Sequence, residues 1–125
     1  MKRRVVVTGL GALTPLGNSV IESWEGAING KSGIGPITKF DSSAHKTQIA
    51  GEIKNFDPLQ YVRKQEVRRY DDFILYALAA AEMAVADSKL TISSEFSERT
   101  GVIIGSAIGG LATLEEESKN LLNSG

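Results

Sequence analysis

The residues able to do chemistry in this sequence are few, and the missing types restrict its function most. The 125 residues include no cysteine and one histidine, His45. Disulfides, thiolate metal sites and cysteine nucleophiles are therefore excluded within them, as are histidine triads and multi-histidine metal centres. His45 stands between Ala44 and Lys46 in a polar stretch, which is typical of a surface histidine. We expect no metal and no cofactor.

Besides the basic start Lys2-Arg3-Arg4, positive charge clusters in the basic segment of residues 63–69, which holds Arg63, Lys64, Arg68 and Arg69. Lys64 and Arg68 are four residues apart and would share a face if the segment is helical. The simpler interpretation is a solvated surface whose positive charge is partly offset by Glu66, Asp71 and Asp72. A docking site for an acidic partner is the sharper one, and the residues alone leave both open.

A glycine turn, Gly9-Leu10-Gly11, directly follows the apolar run Val5–Val7. A dinucleotide-binding fingerprint would need a third small residue three positions later, at the start of a helix. Thr14 and Pro15 occupy that place instead. The two glycines therefore favour close backbone packing over nucleotide binding.

A second glycine-rich turn, Gly105–Gly110, has Leu111 where a phosphate-binding P-loop would have lysine. A close-packed turn between strand and helix is the simpler interpretation. A cradle of backbone N–H groups for an anion stays open as the alternative.

The elements that position these residues alternate between strand and helix, which indicates an α/β fold with parallel central strands. The predicted order is a strand (Arg4–Thr8), a helix from Ser19 to Asn29, a long surface connection (30–47), a short edge strand (Ile49–Ile53), a buried helix (Asp72–Ser88), a strand (Arg99–Gly105) and a last helix after Gly110.

Helix ends are marked by capping patterns. Ser19 with Glu22, and Thr113 with Glu116, have the spacing of a capping box, and Asn29-Gly30 supplies a stop. Asp71 and Asp72 mark the start of the buried helix, where the helix dipole favours acidic side chains.

The segment Asp72–Ser88 is apolar almost all the way round, which is typical of a helix buried inside a larger protein. Such a helix and two central strands cannot be covered by what remains of 125 residues. We therefore expect partner elements to be missing or supplied by another chain.

The composition is that of an ordinary globular protein, with 42% hydrophobic and 23% charged residues and a net charge of −1. With so small a net charge, the protein as a whole creates no positive electrostatic field that would attract nucleic acid or an anionic membrane. The apolar run Phe73–Ala81 is well short of the ~18 residues of a membrane span. Val5–Val7 is too short for a signal peptide. We expect a soluble, cytoplasmic protein with neither nucleic acid nor membrane as partner.

Over all 125 residues the sequence resembles the N-terminal region of elongating β-ketoacyl-acyl-carrier-protein synthases, and it looks most like their type II. Related polyketide ketosynthases share this region. The motifs that carry the resemblance, in order, are Arg3–Gly11, Thr14–Asn18, Gly30–Ile34, Phe40–Ser43 with Ile49–Gly51, and Gly101–Gly110.

The resemblance implies a thiolase-like fold, layered αβαβα and built from two similar halves, in a homodimer. Residues 1–125 would be an incomplete N-terminal part of the ketosynthase domain, with the remainder beyond residue 125. The implied reaction is a decarboxylative Claisen condensation of an acyl group with malonyl on acyl carrier protein. The family's nucleophilic cysteine, two histidines and supporting lysine belong to later segments, so the 125-residue chain alone should be inactive.

Two functional positions of the family match residues of this sequence. Ile108 matches the family residue at the mouth of the acyl pocket, and Arg68 and Arg69 match basic positions that receive acyl carrier protein. The family's third basic position falls on Gln65, so Lys64 would have to take its place. A short protein that only binds acyl carrier protein through the basic segment is the alternative function.

Overall fold

The computed structural model describes residues 2–125, which divide into two units. One unit comprises the residues up to Asp57 together with Ala80–Lys89, and the other comprises Pro58–Ala79 with Leu90–Gly125. The helices are α1 (Val20–Ile28), α2 (Lys64–Val67), α3 (Asp72–Ser88), α4 (Ser94–Ser97) and α5 (Leu111–Ser124), and the strands are β1 (Ile34–Pro36) and β2 (Ile49–Gly51).

Helix α1 begins and ends where its capping residues predict. The Ser19 hydroxyl accepts a hydrogen bond from the Glu22 amide at 3.2 Å, which satisfies one free N–H of the first turn. The Glu22 carboxylate reaches one residue further back than in a standard capping box and accepts from the Asn18 amide at 2.7 Å. Asn29 caps the other end, and Gly30 follows with a positive φ of 65°.

The two strands form one antiparallel hairpin in which Gly35 lies opposite Ala50. Strand β2 confirms the predicted edge strand, although it ends at Gly51 rather than Ile53. Strand β1 lies inside the stretch predicted to be a connection, so that prediction was wrong there. Its three residues include Gly35 and Pro36, which carry little strand signal, and only pairing with β2 makes them a strand.

The Glu52 carboxylate, directly after β2, adds hydrogen bonds to the connection that follows β1. It accepts hydrogen bonds from the Thr38 amide at 3.0 Å, the Thr38 hydroxyl at 2.6 Å and the Lys39 amide at 3.3 Å. These bonds, the Thr38 hydroxyl first, hold the pKa of Glu52 below its ordinary value. The Glu52 side chain thus joins the residue that follows β2 to two residues of the connection that follows β1.

Helix α3 has the predicted bounds, Asp72–Ser88. Leu75 and Ala79 on it are buried, with 5% and 0% of their surfaces exposed. Other apolar positions remain open, and Leu78 and Val85 are 39% and 45% exposed. The all-round burial that the sequence predicts for this helix is therefore reached at only part of its surface within residues 2–125.

The first glycine turn packs against the second half of α3. A Cβ at Gly11 would overlap the carbonyl oxygen of Ala80, and one at Gly9 would overlap that of Ala84. Between them, the Leu10 amide donates a hydrogen bond to the Asp87 carboxylate at 2.9 Å. The packing interpretation of these glycines is confirmed, because backbone lies where their side chains would be.

The two predicted central strands, Arg4–Thr8 and Arg99–Gly105, are not strands in this structure, and that prediction was wrong. Val5 is 93% exposed and Ile103 is 99% exposed. A central strand exists only when neighbouring strands bond both of its edges, and residues 2–125 contain one two-stranded sheet, formed by other segments.

The predicted capping box of the last helix was also wrong. Helix α5 starts at Leu111 with Gly110 as its N-cap, so Thr113 lies inside the first turn rather than before it. The Thr113 hydroxyl donates to the Asp71 carboxylate at 2.6 Å instead of capping its own helix.

Candidate functional site

The basic segment is shaped by hydrogen bonds between residues that are close in the sequence. A 3₁₀ turn at Pro58–Gln60 precedes it, and helix α2 occupies Lys64–Val67 with Arg68 as its C-cap. The Glu66 carboxylate accepts a hydrogen bond from the Arg63 amide at 2.8 Å and so caps the start of α2. Lys64 and Arg68 are therefore one helical turn apart, as the sequence predicts.

The cations of this segment are exposed and unneutralised. Lys64, Arg68 and Arg69 all lie at the surface, and no ion pair joins them to an acid anywhere in residues 2–125. Of the neighbouring acids, Glu66 bonds to backbone and Asp71 bonds to Thr113. The positive charge of Lys64, Arg68 and Arg69 is thus available to an acidic partner. Cations already paired with acids of the same chain would not offer that charge.

The second glycine-rich turn (Gly105–Gly110) carries Ile108, which is 74% exposed. We call this turn the gate loop, after the role at the pocket mouth that the family resemblance implies for Ile108. The Gly109 amide donates to the Ser106 hydroxyl at 3.1 Å, which closes the loop into a turn. Gly109 has φ of 75°, a left-handed conformation that favours glycine. The turn presents Ile108 as an isolated apolar side chain without close packing around it.

Asp71 follows the basic segment in the sequence and contacts the end of the gate loop, within one unit of the chain. Its carboxylate accepts from Thr113 on α5, and a Cβ at Gly110 would overlap that same carboxylate. Asp71 also stands two positions after Arg69 in the sequence. The sequence did not reveal this connection, because Asp71 and Thr113 are 42 residues apart and both have a simpler local explanation as helix-start residues.

His45, the remaining candidate residue, lies at the surface as the sequence predicts. His45 is exposed, and its ring makes an edge contact with Phe40 at a centroid distance of 5.7 Å. Within residues 2–125 there is no helix long and apolar enough to cross a membrane. With no cysteine in the sequence, the arrangement supplies charge and an apolar side chain but no thiol nucleophile.

Comparison with known proteins places residues 2–124 in one family, described as "Beta-ketoacyl synthase, N-terminal domain". Curated relatives named 3-oxoacyl-[acyl-carrier-protein] synthase 2 are 45% identical in Synechocystis and 46% identical in Coxiella burnetii, each over 124 residues and 99% of this chain. The one from Staphylococcus aureus strain COL is 46% identical over 123 residues. The chain spans 30% of the length of each of these relatives.

Solved ketosynthase structures agree with the sequence comparison. The ishigamide ketosynthase/chain length factor matches 97% of this chain with a TM-score of 0.76 and 31% identity. A type II polyketide synthase acyl-carrier protein in complex with its ketosynthase, AntDE:AntF, matches all of it with a TM-score of 0.78 and 30% identity. This chain covers 31% and 33% of those two chains.

These matches confirm the expected fold class: the chain carries part of a thiolase-like α/β fold. The family match also covers every residue of the sequence motifs, including the gate loop and the basic segment. The chain belongs to the β-ketoacyl synthase family and corresponds to its N-terminal domain.

Proposed function

We propose that this chain is part of an elongating β-ketoacyl-acyl-carrier-protein synthase of type II and supplies its carrier dock and acyl-pocket gate. Lys64, Arg68 and Arg69 receive the acidic acyl carrier protein, and Ile108 stands at the entrance for the acyl chain. The observation that carries the proposal is the group of exposed cations with no acidic partner in residues 2–125. The relatives named 3-oxoacyl-[acyl-carrier-protein] synthase 2 support it.

The condensation itself needs groups that these residues lack. A cysteine thiolate takes the acyl group as a thioester. Loss of CO₂ from malonyl then leaves a carbanion, which attacks the thioester carbonyl, forms the new C–C bond and releases the thiolate. No cysteine is present among the 125 residues, so they alone should form no acyl-enzyme. Their proposed part is to bring the carrier-borne chain to the pocket and to admit it.

The remaining properties follow from the same proposal. A domain longer than residues 1–125 fits the chain's 30% share of the curated relatives' length. We place the synthase in the cytoplasm as a homodimer whose substrates are acyl and malonyl thioesters. No cofactor enters the proposed chemistry.

Charge reversal at the dock tests the proposal. In the full-length synthase that contains this sequence, Arg68→Glu should raise KM for carrier-linked substrate about fivefold to thirtyfold, because attraction is replaced by repulsion at an exposed site. A small acyl thioester without the carrier should react nearly as before. Steady-state kinetics on both substrates measure the difference.

Lys31→Glu is the matched control, since Lys31 is an exposed cation in the other unit of the chain. It should leave KM for both substrates nearly unchanged. Equal losses with carrier-linked and small thioesters for Arg68→Glu would refute docking at the basic segment. So would an equal effect of the Lys31 variant.

A ketosynthase of a polyketide pathway is the second candidate, favoured by the type II polyketide synthase complex among the solved matches. A fatty acid synthase extends a saturated acyl group, whereas a polyketide synthase extends one that keeps its keto groups. Acylation by saturated and by β-keto acyl carriers therefore distinguishes them. Preference for the β-keto carrier would replace the fatty-acid assignment with the polyketide one.

A short protein that only binds acyl carrier protein is the third candidate. It requires the 125-residue chain to unfold cooperatively on heating and to bind the carrier without any acyl transfer. Absence of an unfolding transition in calorimetry would count against this candidate and leave the synthase proposal standing.

A further inference from the structure

Asp71 occupies the junction between the basic segment and helix α3. Its backbone carbonyl accepts hydrogen bonds from the Ile74 amide at 2.9 Å and the Leu75 amide at 3.3 Å, so it opens the helix. Its carboxylate is used elsewhere and accepts the Thr113 hydroxyl at 2.6 Å. One residue therefore joins the first turn of α3 to the first turn of α5.

The same carboxylate lies against the end of the gate loop. A Cβ at Gly110 would overlap Oδ2 of Asp71, so the backbone of Gly110 approaches the carboxylate as closely as only glycine permits. A Cβ at Gly109 would lie 3.9 Å from the ring of Phe73, one residue into the first turn of α3. The final residues of the gate loop therefore rest on the start of that helix.

Ile108 precedes these two glycines directly and lies inside the turn closed by the bond between the Gly109 amide and the Ser106 hydroxyl. A side chain that is 74% exposed has little packing of its own to fix its place. Its position is therefore set by the backbone of the loop, and that backbone is held at Gly110 and Thr113 by Asp71.

We propose that Asp71 is a positioning residue for acyl chain-length selection, holding the gate loop and Ile108 in a fixed place beside the end of the basic segment. It acts through Gly110 and Thr113 and does not touch the substrate. The inference rests on the proposed function, because it requires Ile108 to stand at the acyl entrance.

The test uses the full-length synthase and compares its acylation by myristoyl and by hexanoyl thioesters. Asp71→Ala and Thr113→Val each remove one side of the hydrogen bond, and Thr113→Val does so with little change in size. Each should move the ratio of the two acylation rates toward unity by about threefold to tenfold, because a loosened gate discriminates less. The Kd for acyl carrier protein should stay within about twofold of the parent value.

Two further variants separate positioning from a general structural role. Asp71→Asn keeps an acceptor oxygen for Thr113 and should keep the parent ratio. Asp72→Ala removes an acid from the same helix turn, where Asp72 accepts from the Tyr76 hydroxyl at 3.3 Å on its own helix, and should also keep it. The double variant Asp71→Ala/Thr113→Val should change the ratio no more than either single variant.

The outcomes distinguish this inference from the function on which it rests. If Ile108→Phe changes the ratio while Asp71→Ala and Thr113→Val do not, the inference is overturned and the gate role stands. If Ile108→Phe leaves the ratio unchanged, both are overturned. If Asp71→Ala does not fold, Thr113→Val alone decides the inference, since its side chain is at the surface.

Discussion

At the scale of single residues, glycine matters here through close approach of backbone and side chains rather than through nucleotide binding. Gly9 and Gly11 lie against carbonyl oxygens of α3, and Gly110 lies against the Asp71 carboxylate. Sequence alone predicted packing at the first turn, because the dinucleotide pattern was incomplete. It did not predict the partner of Gly110, because that contact depends on how segments distant in the chain fold together.

Gly11→Ala should lower the free energy of unfolding by about 1–3 kcal/mol, because its Cβ would overlap a backbone oxygen that cannot rotate away. Gly35→Ala is the control in the same unit, where the nearest recorded atom is the mobile Nζ of Lys54 at 3.8 Å. Urea denaturation measures both. Equal stabilities of the two variants would contradict the packing role of Gly11.

Ile108→Phe in the full-length synthase should slow acylation by long chains more than by short ones, because a larger side chain fills the proposed entrance. Acylation rates across a series of saturated thioesters measure this. Ile108→Leu is the control of nearly equal volume and should change the profile little. A chain-length profile identical to that of the parent would contradict the gate role of Ile108.

At the scale of elements, helices were predicted better than strands, and the reason is physical. The capping residues and apolar pattern of α1 and α3 are local, so their ends could be located from the sequence. A strand depends on its neighbours. Val5–Val7 and Val102–Ile104 have strand-forming residues and yet stay unpaired, whereas Ile34–Pro36 has weak strand signal and is paired by β2.

The Glu52 carboxylate should make the hairpin of β1 and β2 sensitive to acid. Hydrogen bonds from Thr38 and Lys39 lower the pKa of Glu52, so the folded hairpin binds its proton less readily than the unfolded chain does. The resulting stability is present above the ordinary pKa of 4.5 and is lost as the pH falls through the lowered value. Amide exchange of Thr38 and Lys39, followed across that range, measures it.

Glu52→Gln should remove most of this pH dependence, because the amide does not titrate. Glu25→Gln, at an exposed carboxylate on helix α1 and outside the hairpin, is the control and should retain it. Acid sensitivity that persists after the Glu52→Gln replacement would show that another group causes it.

At the scale of the whole molecule, much apolar surface is exposed for a chain of this composition. Val5, Val102, Ile103 and Trp24 are among the large side chains with well over half of their surfaces exposed. The sequence analysis predicted this exposure, because an almost wholly apolar helix and two central strands need more packing partners than so short a chain contains. The chain's 30% share of its curated relatives' length is consistent with that prediction.

The most direct test of the proposed carrier dock is a titration of the full-length synthase that contains this sequence with acyl carrier protein, followed by the amide signals of the basic segment. At low ionic strength the signals of residues 63–69 should shift, and added salt should reverse the shifts because the contact is electrostatic. Replacement of Lys64, Arg68 and Arg69 by alanine together should abolish them. Binding that leaves these signals unmoved, or that survives the triple replacement, would contradict the central claim.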